Sequence, residues 1–307
     1  MEDMNRRDFL ETGAKASALA MLPALESFAQ PLQKPSSAGF NLKVLATNWG
    51  FPGDHAAFCT KAKSLGYDGF EVWVPGDTKS RDELIRESEK QGLQYGFLTG
   101  GSDPDPVKHA EQFKAMVVRA AEGKPLYINC HSGKDHFSFE QNRALMEFTA
   151  EISAKTGVPI YHETHRGRTL FAAHIARKFI EAIPSLRLTF DVSHWCNVAE
   201  SLLVDQADTL ALALERVGHI HARIGHPEGP QVNDPRAPEW DDAVKAHFAW
   251  WDKVAERKKR EGSIMTVLTE FGPPDYMPTL PYTRQPLADQ WDVNVHMLHV
   301  LRKRYGN

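Results

Sequence analysis

Arg187-Leu188-Thr189-Phe190-Asp191-Val192-Ser193-His194-Trp195 is a short apolar run that stops in a carboxylate, a hydroxyl and an imidazole. The run is too short for a stable helix, and a longer stretch with apolar residues at helical spacing follows it. It therefore reads as a buried strand feeding a helix. Working outward, the same unit recurs in both directions. The predicted strands are Lys43–Asn48, Gly69–Val74, Leu93–Thr99, Leu126–Cys130, Ile160–Glu163, Arg187–Asp191, His219–Arg223 and Thr266–Glu270. Their alternation of polar and apolar positions is imperfect, as expected where both faces of a strand are covered.

Helices are predicted between them. His55–Leu65 stops at Gly66, and Ser138-Phe139-Glu140-Gln141 has the layout of a capping box opening a helix to Lys155, with Gly157 beyond it. Thr169–Ile180, Ala199–Arg216, Trp240–Arg260 and Leu287–Arg304 carry apolar residues at helical spacing. Eight strand–helix units from Leu42 onward fit a (β/α)8 TIM barrel, which typically takes about 250 residues. A doubly wound open sheet is the alternative, and the lack of Gly-x-Gly-x-x-Gly after the first strand disfavours it. No internal repeat is evident beyond the alternation itself.

In a barrel of this kind chemistry sits at the C-terminal ends of the strands. The fifth strand ends in Tyr161-His162-Glu163-Thr164-His165, the sixth in Asp191-Val192-Ser193-His194, and the eighth in Thr269-Glu270-Phe271-Gly272. The seventh reads His219-Ile220-His221-Ala222-Arg223. Taken singly, each of these residues is explained by solvation or by a satisfied core contact. Converging on one mouth, the carboxylates would repel and be costly to bury, and a divalent cation relieves that cost. Three carboxylates and an imidazole suit one divalent ion, Mn²⁺ or Mg²⁺, with Zn²⁺, Co²⁺ or Fe²⁺ as further options.

Glu163, the Asp-x-x-His of Asp191 and His194, the Gly-His-Ile-His ending at His221 and the Thr-Glu-Phe around Glu270 together resemble the xylose-isomerase-like TIM barrels. That family includes sugar phosphate isomerases and epimerases and inosose dehydratases. The resemblance implies that Glu163, Asp191, His221 and Glu270 are metal ligands, with manganese the foremost ion. It also implies that Glu163 and Glu270 move protons and that His194 contacts substrate. Other candidate substrate residues at the same rim are Arg223, His131, Lys134, His165, Trp49 and Glu71. Trp49, Trp73 and Trp195 could stack on a sugar ring or simply pack. The sequence departs from the sugar epimerases after the seventh strand, where Ile224-Gly225-His226-Pro227-Glu228-Gly229-Pro230 replaces the usual acidic residues and a following Arg. The substrate is therefore less determined than the metal. The ligands of a two-metal xylose isomerase or a three-zinc endonuclease are not all evident.

The first residues differ from the rest. Asn5-Arg6-Arg7-Asp8-Phe9-Leu10 precedes a weakly apolar stretch, Gly13–Leu25, and then Ser27-Phe28-Ala29. Charge, apolar stretch and small-x-small site form the layout of an export signal. The paired arginines resemble the twin-arginine motif, which implies a partner in the twin-arginine export machinery and a periplasmic or otherwise exported destination. Asn5 and Glu11 depart from the usual motif. The division expected is a signal over residues 1–29, a flexible linker over 30–40 and a catalytic barrel over 41–307.

Composition narrows the functional classes. Lys and Arg total 36 against 40 Asp and Glu, for a net charge of −4, which argues against a nucleic-acid binder. Three cysteines (Cys59, Cys130 and Cys196) are too few and scattered for a disulfide framework. No apolar run reaches the roughly 20 residues of a membrane span. The leading expectation is a metal-dependent isomerase or epimerase on a keto-sugar or polyol, working by α-proton abstraction to an enediolate. Its alternative is a lyase or hydratase on a 3-keto-glycoside or inosose that uses the same abstraction. A non-catalytic carbohydrate-binding barrel and a metal-dependent hydrolase are the rivals from other classes. The Pro-containing segments Gly225–Pro238 and Gly272–Pro286 are candidates for a lid or for a contact in a homo-oligomer.

Overall fold

The structure, a computed structural model, describes residues 39–306. The expected export signal and all but the end of the expected linker lie outside those residues. Eight parallel strands, β1 (Asn41–Thr47), β2 (Gly69–Trp73), β3 (Gln94–Gly100), β4 (Ile128–His131), β5 (Ile160–Glu163), β6 (Leu188–Phe190), β7 (Val217–Ala222) and β8 (Ile264–Thr269), pair in chain order, and β8 closes on β1. The helices are α1 (His55–Ser64), α2 (Thr78–Gln91), α3 (Pro106–Glu122), α4 (Phe139–Thr156), α5 (Ala173–Ala182), α6 (Val192–Val198), α7 (Ala207–Leu214), α8 (Asp241–Glu261) and α9 (Gln290–Tyr305). This is the TIM barrel that the alternation predicts.

Local chemistry sets the element ends. The capping box of α4 is present: Ser138 Oγ accepts from the Gln141 amide and the Gln141 side chain accepts from the Ser138 amide. Gly157, at φ 74°, then ends the helix in the left-handed region. Two predicted helices begin elsewhere. Thr169 does not open α5, because its hydroxyl is committed to the Ser132 carbonyl and to Asn142 Oδ1. The predicted helix Ala199–Arg216 is divided. Asp191 caps α6 directly at the end of β6, Glu200 and Leu203 have positive φ, and α7 starts only at Ala207.

The main core lies between strands and helices, with Phe58, Phe97, Phe113, Phe190 and Trp251 fully buried in it. A smaller cluster of Leu45, Tyr127 and Leu268, with Tyr161 packed on it, fills the barrel interior. Gly96 makes room for it, since a Cβ there would fall 2.6 Å from the Tyr127 ring. Above this plug the inward-facing residues turn polar, at the C-terminal end of the strands. Among the described residues no helix is long and apolar enough to cross a membrane.

Candidate metal centre and adjoining cleft

Four strands deliver the polar residues to one place. Glu163 is the last residue of β5, Asp191 follows β6, His221 lies in β7 and Glu270 follows β8. One ligand atom from each lies within 4.8 Å of the others. Glu163, Asp191 and His221 are buried, while the Glu270 side chain keeps 12% exposure and reaches the cleft above.

Three atoms of this group, Glu163 Oε1, His221 Nδ1 and Glu270 Oε2, are buried, and although His221 Nδ1 and Glu270 Oε2 lie 2.9 Å apart, none of the three is in good hydrogen-bonding geometry. Buried polar atoms are seldom left so, and such atoms converging on one point fit a divalent ion. The charges agree with this. Glu163, Asp191 and Glu270 share one guanidinium, Arg223, whose Nη2 contacts Asp191 Oδ2 and lies 3.5 Å from Glu270 Oε2, and Glu71 adds a fourth carboxylate below them. Burial drives the Asp191 carboxyl up to about 7, and the Glu270 and Glu163 charges add to this against the opposing pull of Arg223. Burial alone would discharge His221, but Glu270, Glu163 and Glu71 hold its pKa well above the usual histidine value. The site thus carries an excess of negative charge that draws a cation, and a divalent ion would take the place of that proton. A set of three carboxylates and one imidazole fits such an ion.

Behind these four side chains stands a polar layer that orients them. His221 Nε2 lies 3.2 Å from Glu71 Oε1, which leaves Nδ1 turned toward Glu270 Oε2 at 2.9 Å. Asn129 donates through Nδ2 to Glu163 Oε2 (2.7 Å) and Glu71 Oε1 (3.2 Å), tying β2, β4 and β5 together. Deeper still, His219 lies 3.4 Å from Glu71 Oε2, and its Nε2 and the Tyr127 hydroxyl are 3.0 Å apart. Burial would raise the Glu71 carboxyl, but His221 and His219 outweigh it and hold it well below the usual range. A carboxylate on the far nitrogen of a metal-binding histidine fixes its tautomer and orientation.

The cleft over this floor has about 210 Å³ of space and is lined by Trp49, Trp73, His131, His165, Glu270 and Tyr276, with Arg223 and Glu71 at its base. Trp49 packs edge-on to Tyr276, which also covers the Arg223 guanidinium at 4.7 Å. His131 Nε2 lies 3.0 Å from Glu163 Oε2. The rings of His131, His165 and His194 form a column with centroid separations of 4.5 and 3.9 Å.

The structure therefore brings Glu163, Asp191, His221 and Glu270 together as one group, and it places Trp49, His131, His165 and Arg223 at the cleft. Glu71 also lines the cleft, at its base, where it is spent on the histidines of β7. Two sequence candidates take other positions. His194 is fully buried behind His165, with Nε2 2.9 Å from Arg223 Nη2, so it holds the guanidinium rather than facing open space. Lys134 lies outside the cleft, where burial and the nearby Arg168 lower its pKa. The sequence reading missed Asn129, His219 and Tyr276 as parts of the site. An Asn in the apolar run of the fourth strand was a readable signal, whereas Tyr276 comes from a loop with no periodicity.

The profile of the family described as xylose isomerase-like TIM barrel matches residues 59–243. A comparison with curated protein sequences finds no significant match. Among solved structures, the chain is similar to D-allulose 3-epimerase from Methylomonas sp., at 16% identity and a TM-score of 0.59, over 86% of this chain and 98% of that one. It is similar to 3-keto-D-glucoside 4-epimerase from E. coli at 16% identity and a TM-score of 0.57, over 86% and 100%. It is also similar to endonuclease IV from Thermus thermophilus at 14% identity and a TM-score of 0.52, over 86% and 98%. At these identities the likeness shows the fold.

Proposed function

Because this chain belongs to the xylose isomerase-like TIM barrel family, we propose that it is a divalent-metal-dependent isomerase or epimerase acting on a keto-sugar or related polyol. The observation that carries this reading is the convergence of the buried Glu163, His221 and Glu270 atoms with Asp191 beneath an aromatic-lined cleft. Glu163, Asp191, His221 and Glu270 would hold one ion, Mn²⁺ foremost, which when bound supplies Lewis-acid polarisation of a sugar carbonyl.

The chain's own residues supply the rest. Glu270 reaches the cleft and can take or return the proton next to the carbonyl. Glu163 approaches from β5, three strands away around the barrel, and is linked to the cleft through His131. Two carboxylates on different strands can serve opposite faces of an enediolate. Return of the proton to the same carbon gives epimerisation, and return to its neighbour gives isomerisation. Arg223, held by Asp191, His194 and Tyr276, provides a fixed positive charge for the developing oxyanion. Trp49 and Tyr276 present ring surface to the sugar. The same proton removal with departure of a β-substituent would make the enzyme a lyase on a 3-keto-glycoside.

Incubation with Mn²⁺ and a panel of free ketoses and 3-keto-glycosides in D₂O tests the reading. Deuterium at the carbon next to the carbonyl, seen by NMR, is the expected result. An unsaturated product would assign the lyase instead, and no exchange into any member would remove both. One metal per chain by elemental analysis agrees with this chemistry, whereas two or three would favour hydrolysis. We further propose that residues 1–29 direct twin-arginine export. Fractionation of cells with Arg6 and Arg7 both changed to Lys checks this, with loss of periplasmic protein expected.

A further inference from the structure

We propose that the cavity on the far side of Trp73 from the metal centre is a second sugar subsite, built to receive an acidic unit joined to the reacting ring. This rests on the sugar-enzyme reading above and names the substrate class as an acidic glycoside rather than a free monosaccharide.

Trp73, at the end of β2, is 47% exposed and lines two cavities at once. On one side is the 210 Å³ cleft, with room for one ring. On the other is a larger cavity of about 530 Å³ between the end of β3 and α3. A lone monosaccharide over the carboxylates would leave the larger space unused and half of the Trp73 ring in water. The indole is held edge-on to His131 at 5.4 Å, and Gly100 keeps the wall thin beside it. An exposed aromatic face fixed between two cavities is a stacking platform for a second sugar ring.

The charge of the larger cavity gives the chemistry of its occupant. Its lining includes Arg119 and Arg168 and no Asp or Glu. Each guanidinium is half-buried and bonded to a backbone carbonyl, Arg119 to Pro75 (3.4 Å) and Arg168 to Gly101 (3.2 Å). Among the described residues neither forms an ion pair with a carboxylate. Half-buried guanidinium groups with unused donors recognise carboxylate, sulfate or phosphate oxygens. Next to a sugar-stacking indole, a uronate carboxylate is the occupant that meets both demands.

Calorimetric titration of the Mn²⁺-loaded full chain with glucose, cellobiose and cellobiouronic acid tests the assignment. The expected order is cellobiouronic acid tightest, at least tenfold ahead of cellobiose, with glucose weakest. Arg168→Gln should close the gap between the acidic and neutral disaccharides and leave glucose binding unchanged. Ala115→Phe, at an exposed position of α3 lining the larger cavity, should erase the disaccharide advantage. Glucose binding with no disaccharide preference, or an acid preference that survives both Arg119→Gln and Arg168→Gln, overturns the subsite and leaves the enzyme reading intact. Failure of all three sugars to bind overturns the subsite, and deuterium exchange into a ketose or 3-keto-glycoside then decides the enzyme reading separately.

Discussion

Glu71 Oε1 on β2 and His221 Nε2 on β7 meet across the barrel at 3.2 Å, so that the other imidazole nitrogen, Nδ1, faces Glu270 and Glu163. Glu71 is therefore expected to act through His221. Glu71→Gln keeps an acceptor near Nε2 but removes the charge that fixes the imidazole. Loss of such a partner typically lowers metal affinity about 10–100-fold. Competition between the protein and a fluorescent chelator for Mn²⁺ should show that loss, with an unchanged circular dichroism spectrum. Wild-type affinity in Glu71→Gln would place the role of Glu71 elsewhere.

Arg223 is fully buried and offsets the charge of Asp191. Arg223→Met removes the offset while keeping much of the side-chain length. Breaking a buried pair by removing one partner costs about 3–5 kcal/mol, because the other charge is left uncompensated. The melting temperature of the metal-free protein should therefore fall. A divalent ion bound beside Asp191 would restore part of that charge balance, so Mn²⁺ should raise the melting temperature of the variant more than that of the wild type. An equal shift in both would separate Asp191 from the ion.

The barrel was readable because its evidence repeats: eight apolar runs with helices between them each point to the same architecture. The four proposed ligands were readable because each interrupts or ends such a run. What escaped depends on contacts across the barrel. His194 and Lys134 sit beside motif residues in the chain, yet the turn into α6 buries His194 behind His165 and the loop after β4 carries Lys134 away. Glu71 looked like a rim residue, and only pairing with two histidines 148 and 150 positions away shows its role. Tyr276 belongs to a loop, where no period ties a residue to a face.

Two buried histidines outside the proposed ligand group make stability depend on pH. His162 and His247 are fully buried, and burial lowers them to about 3 and about 4 from 6.5. Each is satisfied as a neutral ring: His247 donates from Nδ1 to the Ala243 carbonyl and accepts at Nε2 from the Gly225 amide. His162 lies between the Ser132 and Thr149 hydroxyls. In the unfolded chain both take up protons near 6.5, so between 6.5 and 4 the unfolded state binds more protons than the folded one. Their stabilising effect is complete above 6.5 and is lost as the pH falls, by about 1.4 kcal/mol per unit for each histidine. Urea titrations from pH 7 to pH 4.5 should show stability falling, with these two histidines contributing to the slope. His247→Gln should be less stable at pH 7 but show a shallower decline, and an unchanged slope would rule His247 out as a contributor.

Glu163 and Glu270 differ in exposure, and this separates their expected roles. The Glu270 carboxylate reaches the cleft, whereas Glu163 is enclosed and engaged by Asn129 and His131. Burial would raise the Glu163 carboxyl, but His131 and His221 hold it well below the usual range. Glu270→Gln should therefore lower proton exchange by about 10²–10⁴-fold, the range a general acid or base commands, while the fold persists. Glu163→Gln should reduce exchange by a similar factor and also disturb the Asn129 link to Glu71, so it should lower the melting temperature where Glu270→Gln does not. His131→Phe gives the discriminating measurement. If Glu163 works through His131, this variant should lose exchange at one face of the sugar only. That loss would appear as retained deuterium uptake into the starting ketose with little appearance of its epimer. Equal loss of both signals would show that His131 supports binding rather than proton movement.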